Sequence, residues 1–521
     1  MRLGIDVGGT NTDAVLVAGR TVVASAKRPT TADVSGGIVA ATREVLAAAG
    51  EKAPVIDCVM IGTTHFANAF VERKGLLEVA ILRLAGASGE SLPPMSGWPD
   101  DVKRSIGARS FQLPGGYEFD GRENTAFDER AVRIAARQIR RDRVDAVAIS
   151  CVFAPINRSM EERAARIVAE EAPGVAVTIS SAMGRIGFLE RENATIMNAA
   201  LARIGSHVIE SFTAAFAAMG IHAPLYVSQN DGTLISADYA ARFPVLTFGS
   251  GPTNSMRGAA FLTGLQDAIV MDVGGTTTDV GALVHGFPRE SSIAADVGGV
   301  RTNFRMPDIL SIGLGGGTRI RLDRSARTLR AGPDSVGYKL SEEALIFGGS
   351  TLTASDIAVK AGHASFGDPS RVQDLEPWVI QEALAQFRRT FEDAIDRVKT
   401  ANADVPVVLV GGGHVLVEQH LAGASEVVRP EHAAVANAVG AAIAQVGGEI
   451  DRIVNYEKPG RAAILQSIEK EVTARAIAAG ADPSTVRLVE VEEVFLSYLP
   501  GNTAQVRAKA VGDLASVSCA R

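Results

Sequence analysis

Cysteine is scarce in this chain of 521 residues, and its placement limits the chemistry that thiols could support. The three cysteines, Cys58, Cys151 and Cys519, are odd in number and far apart. The sequence has no CxxC pair and no Cys/His cluster with the spacing of zinc ligands. Cys58 and Cys151 each lie in an apolar, strand-like run, which favours a buried, inert thiol over a reactive one.

The sequence also lacks an excess of positive charge and any long apolar run. Its 52 basic residues are outnumbered by 59 acidic ones, which gives a formal net charge of −7. Because no long basic run concentrates positive charge, nucleic-acid binding is not expected. No run approaches the roughly 20 apolar residues that a membrane-spanning helix needs. The sequence starts at once with an apparent strand and shows no signal peptide, so we expect a cytoplasmic protein that binds neither nucleic acid nor membrane.

Glycine, in contrast, is abundant, and helices and strands are predicted to alternate along the chain. The 53 glycines cluster in short loops, where the backbone can come close to a ligand. The length predicts two or three domains, which we place at residues 1–265 (first lobe), 266–450 (second lobe) and 451–521 (a small αβ appendage). Residues 85–127 are predicted to be an irregular insertion over the first lobe, in a position to contact substrate. Residues 433–447 are predicted to form one tightly packed helix of small residues.

The strongest signal is one loop that occurs twice. Residues 6–13 read DVGGTNTD and residues 272–279 read DVGGTTTD, so that seven of eight positions are identical. Each copy follows an apolar strand and precedes a second strand, which predicts the same strand–turn–strand unit in both lobes. Two consecutive glycines allow a tight turn whose N–H groups can approach phosphate oxygens. A plain β-hairpin explains one such turn equally well, but two near-identical acidic copies favour a phosphate site.

We therefore predict two phosphate-binding loops. Their glycines supply backbone N–H groups, and their polar side chains add further hydrogen-bond donors. The predicted contact residues are Gly8, Gly9, Thr10, Asn11 and Thr12 in the first loop, and Gly274, Gly275, Thr276, Thr277 and Thr278 in the second.

An aspartate at the end of each leading strand places a carboxylate beside each predicted phosphate site. These residues are Asp6 and Asp272. Since a carboxylate would repel a bare polyphosphate, the arrangement implies Mg²⁺ between them, held in part through water. We predict that both are catalytic, metal-associated carboxylates; the alternative is that they only cap the loops. Asp13 and Asp279 directly follow the loops and are as well explained by capping of the turn.

The paired loops resemble those of the actin, Hsp70 and sugar-kinase class of ATPases, in which each of two related lobes grips ATP with one such loop. The resemblance implies an α/β fold of two actin-like (ribonuclease H-like) lobes around an ATP cleft. Gly411, Gly412 and Gly413, after the strand PVVLV, resemble the adenosine motif of that class. Gly315 and Gly316, in the turn GLGGGT, are a further candidate for nucleotide contact. For each of these two loops a structural turn explains the pattern equally well.

Further segments make the resemblance more specific. The chain is similar to the hydantoinase A subunit family, shared with 5-oxoprolinase and the β-type subunits of acetone carboxylase. The similar segments are IGTTHFANAFVERKG (61–75), ERENATIMNAAL (190–201), VSQNDGTL (227–234), FGSGPTNSMRGA (248–259), DVGGTTTDVGAL (272–283) and ILSIGLGGGTRI (309–320). They occur in the order of the family and span most of residues 1–445.

The resemblance implies an ATP-dependent enzyme that opens a cyclic amide, such as a hydantoin or a 5-oxoproline-like lactam. In that family ATP phosphorylates the carbonyl oxygen, which converts a poor electrophile into one that water attacks. The A-type chain supplies the phosphorylation and a separate B-type chain completes hydrolysis. Because the sequence contains no B-type segment, we expect a hydantoinase B-type partner and an oligomeric assembly.

Five residues outside the glycine loops are candidates for catalysis or substrate binding. His65, in GTTHFAN, could bind substrate or act as a base near neutral pH, and Asn68 could hydrogen-bond an amide. Glu192 lies near the start of a long predicted helix, and Asn230 and Asp231 lie in the turn SQNDG. The family resemblance implies a cleft position for these three. Each has a structural alternative: a hydrogen-bonded loop histidine, a charge that serves the helix dipole, or a turn.

Two other functions fit the same ATP site. One is an acetone-carboxylase-type subunit that phosphorylates a ketone enolate or bicarbonate. The other is a nucleotide-driven switch or reactivating ATPase, in which turnover closes the lobes without a small substrate. The absence of an obvious peptide-binding domain in the sequence counts against the switch. Stimulation of ATP hydrolysis by an amide, by a ketone or by a protein alone distinguishes the three functions.

Overall fold

The described residues form two lobes of mixed helix and strand. The computed structural model describes residues 1–521 except 10, 32–34, 51–54, 108, 184–185, 292–294, 498, 500–501 and 516–521. The architecture confirms the predicted two-lobed α/β fold. Among the described helices, none combines the length and the hydropathy needed to cross a bilayer.

Strands are distributed along the whole described chain. They are β1 Arg2–Val7, β2 Asn11–Ala18, β3 Thr21–Pro29, β4 Cys58–Thr63, β5 Val79–Leu84, β6 Arg109–Leu113, β7 Ala146–Cys151, β8 Ala176–Ile179, β9 Leu225–Ser228, β10 Thr233–Ser236, β11 Ala268–Val273, β12 Thr278–Val284, β13 Phe287–Pro288, β14 Ala295–Val297, β15 Val300–Thr302, β16 Ile309–Ile312, β17 Thr318–Asp323, β18 Thr328–Ser335, β19 Val405–Val410, β20 Ala424–Val428, β21 Gln445–Asn455, β22 Arg487–Phe495 and β23 Thr503–Gly512.

Helices connect the strands in the alternation that the sequence predicts. They are α1 Ser35–Ala48, α2 His65–Val71, α3 Asp100–Ile106, α4 Glu129–Arg141, α5 Ser159–Glu171, α6 Phe188–Ala218, α7 Ala237–Arg242, α8 Ser250–Thr263, α9 Leu340–Glu343, α10 Ala354–Lys360, α11 Pro377–Val398, α12 Ala436–Ala442 and α13 Arg461–Ala478.

The first lobe is built on a nine-stranded sheet of order β22-β23-β21-β10-β9-β4-β1-β2-β3. Strands β1 and β2 form the predicted hairpin, and β1, β4 and β9 run parallel. Both faces of the hairpin are covered, because Leu16 packs in the same cluster as Ile38 of α1 while Val15 and Val17 pack on α12. The parallel strands therefore end at one buried edge of the sheet, where the first glycine turn lies.

The second lobe repeats the same unit. Its sheet has the order β13-β12-β11-β19-β20, with β16 paired to β12. Strands β11 and β12 form an antiparallel hairpin, and β19 runs parallel to β11, as β4 does to β1. Phe387 and Phe391 of α11 are buried against this sheet. The internal sequence repeat is therefore also a structural repeat.

Residues 85–127 are more regular than the sequence predicts. They contain α3 and β6, and β6 pairs with β5 in a four-stranded parallel sheet of order β6-β5-β7-β8. The glycines and prolines of this stretch obscured a strand whose residues are mostly exposed at a sheet edge. The segment is thus part of an α/β layer on the first lobe, and not simply an irregular insertion.

Residues 451–521 were expected to be a separate appendage, but their strands continue the first lobe's sheet. Strand β21 pairs with β10 at Thr233 and Gln445, and β23 pairs with β21 along its whole length. The predicted helix at 433–447 is correspondingly short, since α12 ends at Ala442 and β21 begins three residues later. Small residues are compatible with both a helix and a strand, so the sequence does not show where α12 ends and β21 begins. The pairing of β21 with β10 shows it.

Helices α8 and α12 cross between the two lobes at very short range. A Cβ at Gly258 of α8 would lie 1.9 Å from the carbonyl oxygen of Ala436, and a Cβ at Gly440 of α12 would lie 1.8 Å from that of Asn254. Glycine is therefore required at both points because backbone occupies the space of a side chain. The crossing of α8 and α12 therefore determines which of their residues lie beside the glycine turns.

Candidate functional site

The two glycine turns have the same backbone geometry. In the first hairpin Asp6 pairs with Asp13, and in the second Asp272 pairs with Asp279. The N–H of Gly8 donates to the carbonyl of Asn11 at 3.0 Å, and the N–H of Gly274 donates to that of Thr277 at 2.9 Å. The seven residues that the two loops share therefore form the same turn in both lobes.

Within each turn the two glycines have different surroundings. A Cβ at Gly8 would lie 3.1 Å from the Asn11 oxygen, so the first glycine is needed for the turn itself. Gly9 and Gly275 face open space: a Cβ at Gly9 would lie 3.9 Å from Nδ2 of Asn68, and one at Gly275 would meet nothing within 4 Å. The second glycine of each turn therefore leaves room for a ligand to reach the backbone.

The hydroxyl groups of the two loops are not equivalent. The hydroxyl of Thr12 lies 3.1 Å from that of Thr30, and the hydroxyl of Thr278 donates to the Leu314 carbonyl at 2.6 Å. Both side chains are buried, and both residues lie at the start of a strand, Thr12 in β2 and Thr278 in β12. Thr276 and Thr277 are exposed. Thr10 lies outside the described residues.

The carboxylates of Asp6 and Asp272 lie beside two adjacent residues of α8, since Asn254 borders Oδ1 of Asp6 and Ser255 donates to Oδ2 of Asp272. The structure therefore brings the two acidic turns to one cleft. Burial, followed by repulsion from Asp13, raises the pKa of Asp6 to about 7. Burial, followed by repulsion from Asp279 and Asp13, raises the pKa of Asp272 to about 6, against the hydrogen bond that Ser255 donates.

The residues at this cleft fit a divalent cation. Oδ2 of Asp6 accepts a hydrogen bond from Nδ2 of Asn437 at 2.9 Å. Oδ1 of Asp6 is buried and makes no hydrogen bond of ordinary length among the described residues, although the Asn254 amide lies close enough to oppose the rise in the pKa of Asp6. A buried, unpartnered carboxylate oxygen is costly unless a cation or donor compensates it. Hard oxygen ligands are those that Mg²⁺ prefers, so Asp6 and Asp272 are suited to hold it.

A lysine that sequence reasoning missed also lies at this cleft. Nζ of Lys27, in β3, donates to Oδ2 of Asp13 at 2.8 Å and to the carbonyl of Ala434 at 3.1 Å. Burial raises the pKa of Asp13 and of Asp272, and the charge of Lys27 opposes the rise in both. A single lysine on a mostly exposed edge strand carries no sequence signal, so only the fold identifies it.

Comparisons with known proteins agree with this geometry. A family model described as the hydantoinase/oxoprolinase N-terminal region matches residues 2–172, and one described as hydantoinase/oxoprolinase matches residues 191–366. The chain belongs to the hydantoinase/oxoprolinase family. Together the two matches cover two thirds of the chain and include both glycine turns.

Curated relatives of this hydantoinase/oxoprolinase-family chain include subunits of two kinds of enzyme. Caprolactamase subunit alpha of Pseudomonas jessenii is 29% identical over 393 residues, which are 70% of this chain and 55% of that protein. The acetophenone carboxylase gamma subunit of Aromatoleum aromaticum is 28% identical over 392 residues, or 69% of this chain and 53% of that protein. The chain thus matches about half the length of these relatives.

Solved structures of the same kind share the fold. The ATP-dependent caprolactamase from Pseudomonas jessenii superposes with a TM-score of 0.77 and 21% identity, covering 99% of this chain and 88% of that one. A nucleotide-free acetone carboxylase superposes with a TM-score of 0.70 and 20% identity, with the same coverage of both chains. At these sequence identities, the superpositions show that this chain shares the fold of the two enzymes.

In this family member the two other glycine loops wrap around the second turn. The N–H of Gly316 donates to the carbonyl of Gly274 at 3.0 Å, and a Cβ at Gly315 would lie 2.8 Å from the same oxygen. The N–H of Gly413 donates to the carbonyl of Val273 at 2.7 Å. A Cβ at Gly411 would lie 2.3 Å from Oδ1 of Asp272, whereas one at Gly412 would meet nothing within 4 Å. These loops support the turn, and Gly412 has open space beside it.

The two candidates from the segment 61–75 are placed differently. Asn68 of α2 lies near the first turn, beside Gly9. His65 is the first residue of α2, and burial, followed by the charge of His207, lowers its pKa. Its side chain packs edge-on against the ring of Phe66. Of the two residues, only Asn68 is shown beside a glycine turn.

Glu192 is engaged in a buried ion pair. Its Oε1 accepts from Nε of Arg83 at 2.9 Å and from the hydroxyl of Ser150 at 2.6 Å, and its Oε2 is bound by Nη2 of Arg83. The Glu192 and Arg83 side chains are each 1% exposed. The pair joins α6 to the four-stranded sheet, so this carboxylate has a structural role.

Asn230 and Asp231 line a cavity of about 670 Å³ between the first lobe and the C-terminal strands. Oδ1 of Asn230 accepts from the N–H of Gly249, just before α8, at 2.6 Å. Asp231 forms an ion pair with Lys509 of β23 at 2.7 Å. Burial alone would raise the pKa of Asp231, but Lys509 and hydrogen bonds from Thr233 hold it well below its usual range. Both side chains therefore also fasten structural elements together.

Proposed function

We propose that this chain binds Mg·ATP between its lobes and phosphorylates the carbonyl oxygen of a small cyclic amide, as the ATP-handling subunit of a heteromeric hydrolase. The observation that carries the proposal is the convergence of two matching acidic glycine turns on one cleft, where Asp6 and Asp272 lie beside the adjacent residues Asn254 and Ser255. Membership of the hydantoinase/oxoprolinase family supports the ATP-dependent chemistry. The predicted boundary at residue 265 and a cytoplasmic location belong to the same proposal, whereas the boundary at 450 does not, because β21 runs through it.

The residues of the cleft have separate tasks in this reaction. The backbone at Gly9 and Gly275, together with Thr276 and Thr277, receives the phosphate oxygens of ATP. Lys27 offsets negative charge between the lobes. Mg²⁺, when bound at Asp6 and Asp272, neutralises phosphate charge. The chain thereby orients the γ-phosphate toward the substrate and excludes bulk water from it.

The proposed chemistry balances as lactam plus ATP plus two waters giving the ring-opened amino acid, ADP and phosphate. The carbonyl oxygen attacks the γ-phosphorus, and the bond from that phosphorus to the bridging oxygen breaks with departure of ADP. One water adds to the activated carbon, and the ring C–N bond breaks as the nitrogen takes a proton, which leaves an acyl phosphate. The second water hydrolyses the acyl phosphate to the carboxylic acid and phosphate. Asn68 lies beside the first turn, and in this scheme it holds the amide during the first step.

A partner chain is part of the proposal. The curated relatives are named as subunits, and this chain matches about half of their length. We infer that a hydantoinase B-type chain completes the hydrolysis. Asn230, Asp231 and Glu192 bind no substrate in this scheme, since their side chains hold structural elements together.

A carboxylase-type reaction is the second candidate. It is favoured by one observation: the acetophenone carboxylase gamma subunit is 28% identical, practically the same as the caprolactamase subunit at 29%. In that reaction the same cleft would phosphorylate an enolate or bicarbonate oxygen. A nucleotide-driven switch would need ATP turnover without either acceptor.

The deciding experiment measures release of phosphate from ATP by the full chain together with its co-expressed B-type partner. Candidate acceptors are a hydantoin, 5-oxoproline and caprolactam, compared with acetone and acetophenone in bicarbonate buffer. We expect stimulation by a cyclic amide and formation of the ring-opened acid. Stimulation only by a ketone with bicarbonate would establish the carboxylase instead, and stimulation by a protein alone would establish the switch. The Asp272→Asn variant, which lacks one cleft carboxylate, provides the background rate.

A further inference from the structure

Helix α8 places two adjacent residues beside carboxylates of different lobes. Its amino-terminal half is attached to the first lobe, since the hydroxyl of Ser250 donates to the carbonyl of Thr63 at 3.2 Å and that of Thr253 donates to the carbonyl of Asn230 at 2.8 Å. Its carboxy-terminal half also contacts the second lobe, where Ala260 lies in one cluster with Val270 and Val410. Asn254 and Ser255 occur at the change from one lobe to the other.

Ser255 fixes the carboxylate of the second lobe. Its hydroxyl donates to Oδ2 of Asp272, and the Ser255 residue is buried. The other oxygen, Oδ1, lies against the backbone of Gly411, where a Cβ would be 2.3 Å away. The Asp272 carboxylate is therefore held in one orientation by a hydroxyl on one side and a glycine on the other.

Asn254 lies beside the carboxylate of the first lobe. A Cβ at Gly62 would lie 2.2 Å from Nδ2 of Asn254 and 2.4 Å from Oδ1 of Asp6, so both atoms border the same small space. Asn254 is fully buried and makes no hydrogen bond of ordinary length among the described residues, but its amide lies close enough to Asp6 to oppose the rise in the pKa of that carboxyl. Because both atoms border one space, Asn254 is placed to donate to Asp6 and to set the orientation of its carboxylate.

The helix crossing explains how Asn254 is held there. The backbone of Gly440 in α12 lies against the carbonyl of Asn254, and Asn437, one turn earlier in α12, donates to Oδ2 of Asp6. The two helices therefore approach Asp6 from two directions. Asn437 donates to Oδ2 of Asp6, and Asn254 lies beside Oδ1.

We propose that Asn254 and Ser255 are positioning residues that orient Asp6 and Asp272, one for each lobe, to receive the cation of a Mg–nucleotide. The inference rests on the proposed function and names residues of α8 that the family's glycine turns do not include. Outer partners of metal-binding carboxylates set the orientation of the ligand atoms, and their loss typically weakens metal affinity by about 10–100-fold.

The test is Mn²⁺ binding to the full chain with ADP, followed by electron paramagnetic resonance, together with ADP binding measured by calorimetry. Ser255→Ala should weaken Mn²⁺ binding by about 10-fold or more, and Ser255→Thr, which keeps the hydroxyl, should restore most of it. Asn254→Ala should weaken Mn²⁺ binding by about 10-fold or more, and by more than any fall in melting temperature accounts for. Thr263→Ala, at the far end of α8, is the matched control.

The outcomes separate the inference from the proposed function. If the wild-type chain binds Mn²⁺ with ADP but Ser255→Ala and Asn254→Ala bind it equally well, the inference is overturned alone. If both variants lose affinity only in proportion to a fall in melting temperature, their role is structural and the inference is again overturned. If the wild-type chain binds no nucleotide, the proposed function fails and the inference fails with it.

Discussion

At the residue scale, the two glycines of each turn have different roles: the first packs against the backbone of the turn, and the second leaves space for a ligand. Gly274 is close-packed against the Thr277 carbonyl, whereas Gly275 faces space that a ligand can enter. Gly275→Ala should therefore leave the melting temperature almost unchanged and weaken binding of ATP by at least about 10-fold, or 1.4 kcal/mol. Gly274→Ala should lower the melting temperature. Calorimetric titration and thermal melts check both, and equal ATP affinity in Gly275→Ala would contradict an open phosphate site.

The two cleft carboxylates oppose stability when no cation is present. Burial raises the pKa of Asp6 to about 7, so the folded chain binds its proton more tightly than the unfolded chain does. The free energy of unfolding therefore falls as the pH rises toward the folded pKa of Asp6, and it stays low above that pKa. Asp6→Asn should raise the melting temperature at pH 8 in EDTA, and it should abolish the rise that Mg²⁺ with ATP causes in the wild type. A lower melting temperature in EDTA would show that Asp6 has a structural role instead.

At the scale of elements, the crossing of α8 and α12 sets the distance between the lobes. Gly440→Ala places a Cβ 1.8 Å from the Asn254 carbonyl, so the helices must separate. Overpacking of this kind costs about 1–3 kcal/mol. We expect a lower melting temperature together with weaker binding of ATP, measured as above. Gly275→Ala, which meets nothing, is the matched glycine substitution, and equal stability of the two variants would exclude close packing at the crossing.

The four-stranded sheet is joined to the first lobe through the Arg83–Glu192 pair. Removing one partner of a buried pair leaves an uncompensated charge, so Glu192→Ala should cost about 3–5 kcal/mol. The double variant Arg83→Met with Glu192→Leu should recover much of this loss, because no buried charge then remains. Chemical denaturation measures the three free energies of unfolding. If Glu192→Ala is as stable as the wild type, the ion pair has no structural role and Glu192 is again a candidate substrate ligand.

At the scale of the whole molecule, the C-terminal strands are fastened to the first lobe by Lys509 and Asp231. Because Lys509 holds the pKa of Asp231 below its unfolded value, the pair stabilises the fold above about pH 4, and this stabilisation is lost as the pH falls toward the folded pKa. Lys509→Met should therefore lower the melting temperature most near neutral pH, and the deficit should shrink below about pH 4.

Thermal melts between pH 3 and pH 8 measure this dependence. Lys470→Met, at an exposed position of α13, is the control and should change the melting temperature little at any pH. A deficit in Lys509→Met that stays constant across this range would show that the ion pair does not set the attachment of these strands.

The sequence by itself determined the features that depend on neighbouring residues. Two consecutive glycines between apolar strands specify a tight turn, and an acidic residue before each turn specifies a carboxylate at the strand end. The repeated loop therefore predicted both hairpins, the two lobes and the positions of Asp6 and Asp272. The same pattern predicted a strand after each loop, at Asp13–Val17 and Val280–Val284, but the observed strands begin two residues earlier, at Asn11 and Thr278. The side chains of Thr12 and Thr278, whose hydroxyls were expected to face phosphate, are therefore buried in these strands.

Only the tertiary structure decided which distant residues meet at the cleft. Lys27 lies opposite Asp13 because β3 pairs with β2, whereas Asn254 and Asn437 come from two helices far apart in the chain and lie beside Asp6 because α8 and α12 cross there. Likewise, the C-terminal strands join the first lobe through pairing with β10. Such contacts depend on non-local backbone pairing and on packing against another element, and no pattern of neighbouring residues encodes them.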